Sequence, residues 1–473
     1  MNDDVFFAPI TELNARLKKR EFSAVDLVKA FGARLEKLGP RYNALALPLT
    51  RIAQKRAKDV DGELKRERFR GPLQGIPFGA KDLLSFAGYP TTWGAKPYAN
   101  QVFDTTATVL DKLDGTGSLL IGKLSMIELA GGGGYRTAAA SLTGPGLNPW
   151  DVTRWAGGSS SGPGSAVAAG LVSYALGSET SGSIITPAAY CGVTGLRPTY
   201  GLVSRHGAMA LSWTLDKIGP ICRTAEDCGL VLDAISGGDS SDPGSAGKSF
   251  YYAPQFVRPF RELKVGFASV DRDWADPAIR PVLDAAMSTM KDIGVELVEI
   301  ELPDYPWDAL ISTIIGAESA SVFEDLITSG QVDQLADPSQ AESLKSKLAI
   351  AATQYLKAMR IRSLVQRSFR ELFVNIDLIV APARYEVAPK IGEPLDDEGP
   401  ETPHPAKPGM TNLIPASNIA GLPGISFPCG FASGLPVGLQ LVGPAFRENN
   451  LLAVAVEFQK RTDWHKRRPP ALT

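Results

Sequence analysis

The stretch Trp155–Gly170, WAGGSSSGPGSAVAAG, sets three consecutive serines in a bed of glycine and alanine. Within it, Gly158-Ser159-Ser160-Ser161-Gly162 matches G-x-S-x-G, the turn that presents the nucleophile of many serine hydrolases. Such a turn demands a buried strand directly before it and a histidine later in the chain. The preceding residues, NPWDVTRWAG from Asn148, carry a proline and charged side chains and do not read as a strand. His206, His404 and His465 are scattered, and none lies in a suggestive neighbourhood. Ser160 is therefore not expected to be a nucleophile. Serines also suit tight glycine loops for conformational reasons alone, so the loop by itself assigns no chemistry.

Outward from this loop the texture persists. From Gly71 to about Pro220 the chain is rich in glycine, small residues and short apolar runs, the composition of an α/β core with tight turns. SAVAAGLVSYALG reads as a small-residue helix leading into a second glycine turn, GSETSGSI, which starts at Gly177. GSLLIGKL, Gly117–Leu124, nearly spells the phosphate loop G-x-x-x-x-G-K-[ST], but Leu124 stands where the magnesium-binding hydroxyl belongs. Its apolar middle suits a buried strand. The run Gly131–Gly134 lacks a dinucleotide fingerprint and reads as a tight bend.

Before the core, EFSAVDLVKAFGARLEKLG offers Ser23 as N-cap with Asp26 three positions on, and Gly39-Pro40 stops the helix. After the core, LKVGFASV, DPAIRPVLDAAMSTMKDIG and VELVEIEL read as strand, helix and strand, with Pro277 near the helix start and Gly294 at its end. Residues 305–375 look mainly helical, and DLIVAPA at 377–383 is a buried strand candidate. PLDDEGPETPHPAKPGM, 394–410, is a proline-rich loop, either a lid or a surface excursion.

Composition narrows the function classes. The 473 residues are 44% hydrophobic and 21% charged, an ordinary globular balance. A net charge of -2 makes no electrostatic case for nucleic acid or an anionic membrane as partner. No apolar stretch is long enough to span a bilayer, and MNDDVFFAPI lacks the charged-then-apolar order of a secretory signal. Cys191, Cys222, Cys228 and Cys429 are too few for a disulfide framework and contain no C-x-x-C. With histidines so sparse, neither a zinc site nor another cofactor is expected, and a reducing cytoplasm fits best.

Three pieces carry more. GIPFGAKDLLS places Lys81 in an apolar setting, GGSSSG contains Ser159, and GSETSGSIITPAAYCGVTGLRPTYG presents Ser183 after Gly182. Each is bland alone: a lysine stem packs on a core, and a serine fills a turn. Together they resemble the amidase signature family. The resemblance runs from about Gly71 to Arg223 and returns in AGLPGISFPCG and GLPVGLQLVGP. NPWDVTRWAGGSSSG, GSETSGSI, YCGVTGLRPTYG and LDKIGP follow in the family's order. It implies an α/β amidase signature fold, a mixed central β-sheet covered by helices on both faces. One domain would comprise an N-terminal helical part (1–70), the signature core (71–223), a helical and β-α-β elaboration (224–410) and a C-terminal return to the core (411–473).

The resemblance also implies a Ser-Ser-Lys triad. Ser183 would be the nucleophile, Ser159 a bridging serine after a cis Gly158–Ser159 peptide, and Lys81 the base. Backbone N–H groups of Thr180, Ser181, Gly182 and Ser183 would form the oxyanion hole. Gly131, Gly132, Gly133 and Tyr135 would border the substrate pocket, the glycines leaving room, with Met209 and Trp213 as candidates for the leaving-group side. A serine hydroxyl needs a base, and lysine is one only when neutral, so its pKa must fall from ~10.4 toward ~7–8 through burial. Asp82, the next residue, would oppose that, so its side chain is expected to point elsewhere.

The commonest family turn reads Asp-Thr-Gly-Gly-Ser-Ile. Here it is Glu179-Thr180-Ser181-Gly182-Ser183-Ile184, with Ile185 where arginine is frequent. The implied activity is hydrolysis of a small-molecule amide: aryl or alkyl amides, anilides, hydrazides, carbamates or esters. No nucleic acid or membrane partner is implied, and a homodimer is compatible with the family. The alternative is the glutamine-hydrolysing A subunit of a tRNA-dependent amidotransferase. The altered turn and Pro163 lean away from it, and retention of Lys81, Ser159 and Ser183 argues against a non-catalytic binding module.

Overall fold

Ser23 opens the helix Ala24–Leu38 with a reciprocal cap: its hydroxyl accepts from the Asp26 N–H at 3.1 Å, and the Asp26 carboxylate accepts from the Ser23 N–H at 3.0 Å. Leu27, Val28, Phe31 and Leu35 recur at helical spacing and all are buried, and Gly39 ends the helix before a turn that Pro40 begins. The computed structural model describes residues 3–395 and 409–470. Most of the proline-rich stretch 394–410 thus lies outside the described residues.

The strands are β1 (Leu45–Pro48), β2 (Pro77–Lys81), β3 (Leu119–Leu124), β4 (Leu147–Asn148), β5 (Asp151–Trp155), β6 (Tyr174–Glu179), β7 (Thr194–Arg197) and β8 (Lys217–Cys222). Then come β9 (Lys264–Phe267), β10 (Glu296–Glu299), β11 (Leu378–Pro382), β12 (Gly424–Ala432) and β13 (Leu435–Val442). Eleven of them make one sheet in the order β1-β3-β2-β6-β8-β7-β12-β13-β11-β9-β10, with helices on both faces. It is mixed: β2 runs parallel to β3 and β6, while β6 and β8 are antiparallel. β12 and β13 stand between β7 and β11, so strands from all four stretches of the chain join it. β2, β6, β8, β11 and β13 are buried at every position, which is why they show no alternation of apolar and polar residues. Among the described residues no helix is long and apolar enough to cross a membrane.

GSLLIGKL is strand β3, and 263–302 forms parallel β9 and β10 around the helix Arg280–Ile293. Gly294 closes that helix in the left-handed region, at φ +97°. Pro281 rather than Pro277 occupies its first turn. Two readings are corrected more deeply. NPWDVTRWAG does contain a strand, β5, but it lies outside the main sheet, in a partly exposed ribbon with β4 across a tight local turn and an isolated bridge from Arg154 to Lys390. It is not the buried strand that precedes a serine-hydrolase nucleophile. SAVAAGLVSYALG is not one helix: the helix is Ser161–Ala168, Gly170 turns the chain at φ +64°, and Tyr174–Glu179 is β6 in mid-sheet. Small residues fit either state, and pairing with β2 and β8 decides for strand.

Candidate active site

Lys81 is the last residue of β2 and is fully buried. Its Nζ lies 2.7 Å from Ser159 Oγ and 2.9 Å from Ser178 Oγ, and donates to both. Burial pulls the ammonium down to about 7, against the opposing charges of Asp216 and Glu179. Asp82 points elsewhere, as expected. Its Oδ1 is 2.8 Å from Lys123 Nζ, and its Oδ2 accepts from the Thr92 N–H at 3.0 Å.

The three clustered serines have three different surroundings. Ser159 follows a cis peptide bond to Gly158 and accepts from Lys81. Ser160 staples its loop to β6: its hydroxyl donates to Ser178 O at 3.1 Å and accepts from Ser178 N–H at 3.3 Å. Ser161 begins the helix Ser161–Ala168. The glycine beside it is required by contact, since a Cβ on Gly162 would stand 2.5 Å from Ser125 O. Ser159 and Ser160 have no exposed surface, whereas Ser183 keeps 8%.

Ser183 sits on the turn between β6 and the helix Ile185–Cys191, and its carbonyl accepts from Ser160 N–H at 3.3 Å, which docks the turn on the serine loop. Gly182 supplies the left-handed residue, at φ +84°. Glu179 holds the far end of the turn. One oxygen accepts from the N–H groups of Ile184 and Ile185 at 2.8 and 2.9 Å; the other accepts from Arg197 at 2.7 Å and Asn418 at 2.8 Å. Burial alone would raise this carboxyl, but Arg197, Asn418 and the Ile185 N–H outweigh it and hold it at about 2. Thr180 Oγ1 donates to Asp216 at 2.6 Å. Among the described residues, no acceptor takes the backbone N–H of Thr180, Ser181, Gly182 or Ser183. A turn pinned at both ends with four free donors can stabilise a developing oxyanion.

A cavity of about 200 Å³ opens beside Ser178 and Thr180. Its walls include Leu83, Ala130, Met209, Leu211, Trp213 and Ile218. Met209 and Trp213 both line this cavity, Met209 buried and Trp213 41% exposed; Lys81, Ser159 and Ser183 are not among its lining residues. Gly131, Gly132, Gly133 and Tyr135 do not line this cavity. The room those glycines leave is filled by protein: by the Tyr135 ring at Gly131, by Leu211 and Phe323 at Gly132, and by Leu344 at Gly133. Tyr135 itself meets Trp155 edge-on at 6.0 Å between ring centroids, and its hydroxyl lies over Gly158.

Ser178, Asp216, Arg197, Asn418 and Lys123 escaped the sequence reading. Ser178 falls in the glycine turn GSETSGSI by sequence, whereas the structure extends β6 through Glu179 beside β2, which brings the Ser178 hydroxyl to Lys81. Arg197 lies in the block YCGVTGLRPTYG, at the end of β7, a fully buried strand. Asn418 and Asp216 reach the site only through the fold.

The sequence profile of the Amidase family matches residues 26–452. The A subunit of a Glutamyl-tRNA(Gln) amidotransferase from Gloeothece citriformis (strain PCC 7424) is 35% identical over 490 aligned residues, covering 98% of this chain and 99% of the relative. The peptide amidase of Stenotrophomonas maltophilia superposes with a TM-score of 0.83 at 30% identity, over 98% of each chain. A bacterial aryl acylamidase shares the fold at a TM-score of 0.86 and 22% identity, over 98% of this chain and 99% of that one. A profile match over most of the length, with relatives above 30% identity from end to end, means that this chain belongs to the amidase signature family.

Proposed function

We propose that the protein is an amide hydrolase that works through an acyl-enzyme on Ser183. Ser183 Oγ attacks the substrate carbonyl carbon, its proton passes to Ser159, and the Ser159 proton passes to neutral Lys81. The N–H groups of Thr180–Ser183 receive the oxyanion. When the tetrahedral intermediate collapses, the C–N bond breaks and the leaving nitrogen takes the proton back along the same path. Water then attacks the ester, and the carboxylic acid leaves.

The observation that carries this reading is Lys81: fully buried, without an ion pair among the described residues, and 2.7 Å from Ser159 Oγ on the loop that holds the Ser183 turn. An amine pulled down to about 7 by burial has a substantial neutral fraction near pH 7, and that form can accept a proton.

The substrate we propose is a neutral amide of the aryl or alkyl kind, or a related anilide, hydrazide, carbamate or ester. Its support is the cavity beside Ser178. Apolar side chains make much of the wall, and Arg205, Asp242 and Asp216 there already have partners. Arg205 pairs with Asp242 at 2.7 Å. Asp216 accepts from Thr180 and from the N–H groups of Leu211 and Ser212. Lys217 is fully buried. His206 also lines the cavity, and the Lys217 amine has no hydrogen-bond partner among the described residues, so the preference for a neutral substrate rests on the apolar share of the wall.

The second reading, a glutamine-hydrolysing component that works with partners, is supported by the 35% identity to such a protein along the whole chain. One experiment separates the two. The purified chain, without ATP, tRNA or partner, is assayed for amine or ammonia release from primary amides, anilides, hydrazides and carbamates, with glutamine included. Turnover of a non-glutamine amide that Ser183→Ala abolishes is the expected result. Turnover of glutamine alone, or silence until a partner is added, would favour the second reading.

A further inference from the structure

The next-to-last residue of GSLLIGKL, Lys123, resembles a phosphate-loop lysine but belongs to a buried strand, so the sequence leaves it without a role. The fold supplies one. β3 lies beside β2 in parallel register, with Ala80 opposite Lys123 and Lys81 opposite Leu124. Lys123 Nζ stands 2.8 Å from Asp82 Oδ1, with the two side chains 0% and 1% exposed. The same ammonium donates to Thr91 Oγ1 at 2.6 Å and to Pro90 O at 3.3 Å.

The carboxylates around Lys81 are matched one by one. Glu179, on β6 with Ser178, is bonded by Arg197 and Asn418. Asp216, just before β8 and next to buried Lys217, is bonded by Thr180 and two backbone N–H groups. Ser159 faces Lys81 from the serine loop with a neutral hydroxyl. Asp82 adjoins Lys81 along the chain itself, and in a low-dielectric interior its bare charge would act strongly over that range.

We infer that Lys123 is a positioning residue of the active site: it draws Asp82 toward the Thr91–Thr92 loop and cancels its charge, which leaves the Lys81 amine free to act as base. The inference rests on the reading of Lys81 as the base of the Ser183 reaction. It predicts that Lys123 acts on catalysis without touching substrate, through the pH at which the nucleophile becomes reactive.

The test uses a fluorophosphonate probe on the full chain, so that no natural substrate is needed. Ser183 Oγ bonds to phosphorus, fluoride leaves, and the hydroxyl proton passes by Ser159 to Lys81. The labelling rate is followed between about pH 5 and 10, a range that brackets a depressed lysine. Wild-type labelling should rise through about pH 7. In Lys123→Met the uncompensated Asp82 charge favours the Lys81 ammonium, so the rise should move up by about one pH unit. Asp82→Asn/Lys123→Met, with neither charge present, should return it to the wild-type position. A folded Lys123→Met whose rise coincides with wild type would overturn the inference. If that variant does not fold, Asp82→Asn carries the test. Its unpaired Lys123 cation should move the rise down, and an unmoved rise again overturns the idea. Lys81→Met in the same assay separates the two claims. Wild-type labelling there would remove the triad reading itself, whereas lost labelling beside an unmoved Lys123→Met profile removes only the role of Lys123.

Discussion

Two buried lysines stand at or near the ends of neighbouring strands, Lys81 as the last residue of β2 and Lys123 as the next to last of β3, and both are wholly enclosed. Burial pushes both ammonium groups down from the usual lysine range. They differ in partners. Lys81 has two hydroxyls, Ser159 and Ser178; Lys123 has a carboxylate, a hydroxyl and a carbonyl. A buried cation with a carboxylate is a structural element, and one offered only hydroxyls is a base in waiting. The side chain and its depth are the same; the company decides the role.

The largest expected effect tests the side of the comparison that does chemistry. Ser183→Ala should cost at least about ten-thousandfold in turnover, and Lys81→Met about a thousandfold at neutral pH. A Lys81→Met enzyme with the wild-type rate would dissolve the contrast altogether. In the wild type, turnover should fall about tenfold per pH unit below about 7, as Lys81 takes up its proton.

Stability should separate the lysines with opposite signs. Lys123→Met leaves Asp82 buried and unpaired and should lose about 3–5 kcal/mol by denaturant unfolding. Lys81→Met removes a buried amine that the fold holds below its usual range and should gain about 1–2 kcal/mol at pH 7. The sign follows from protonation. Between about pH 7 and the ordinary lysine range the unfolded chain binds the extra proton, so the penalty is full below 7 and vanishes as pH rises past that range. The gain from Lys81→Met should therefore shrink toward pH 10; a gain that grows with pH would reject the explanation.

The smallest effect concerns the middle serine. Ser160→Ala gives up two backbone hydrogen bonds to β6 and should cost about 1–2 kcal/mol, with turnover within about threefold of wild type. If instead it silenced the enzyme as Ser183→Ala does, Ser160 would return as the nucleophile.

How far these contrasts were legible varies by residue. The Ser23 cap, the strand in GSLLIGKL, and the β9–helix–β10 unit closed by Gly294 rest on rules that act within a few residues, and the chain displays them openly. Lys81, Ser159 and Ser183 could be named because they lie in motif blocks. β5 and β6 were misread for one reason: short strands of charged or small residues exist only because a partner strand meets them. Ser178 reads as a turn residue because the extension of β6 through Glu179 likewise depends on its partner strands. The glycines at 131–133 suggested open space, and the fold fills it with side chains from distant segments.

The sequence by itself determined which side chains are present, the local elements, and the family whose motif blocks they fill. That Asp82 turns to Lys123, that Glu179 is held by Arg197 and Asn418, and that Lys81 meets the hydroxyls of Ser159 and Ser178 follow from the assembled fold alone. The reason is physical. Caps and periodicity are properties of neighbours along the chain, whereas the proton affinity of a buried amine sums the charges around it in space, and in a low-dielectric interior that sum belongs to the whole fold.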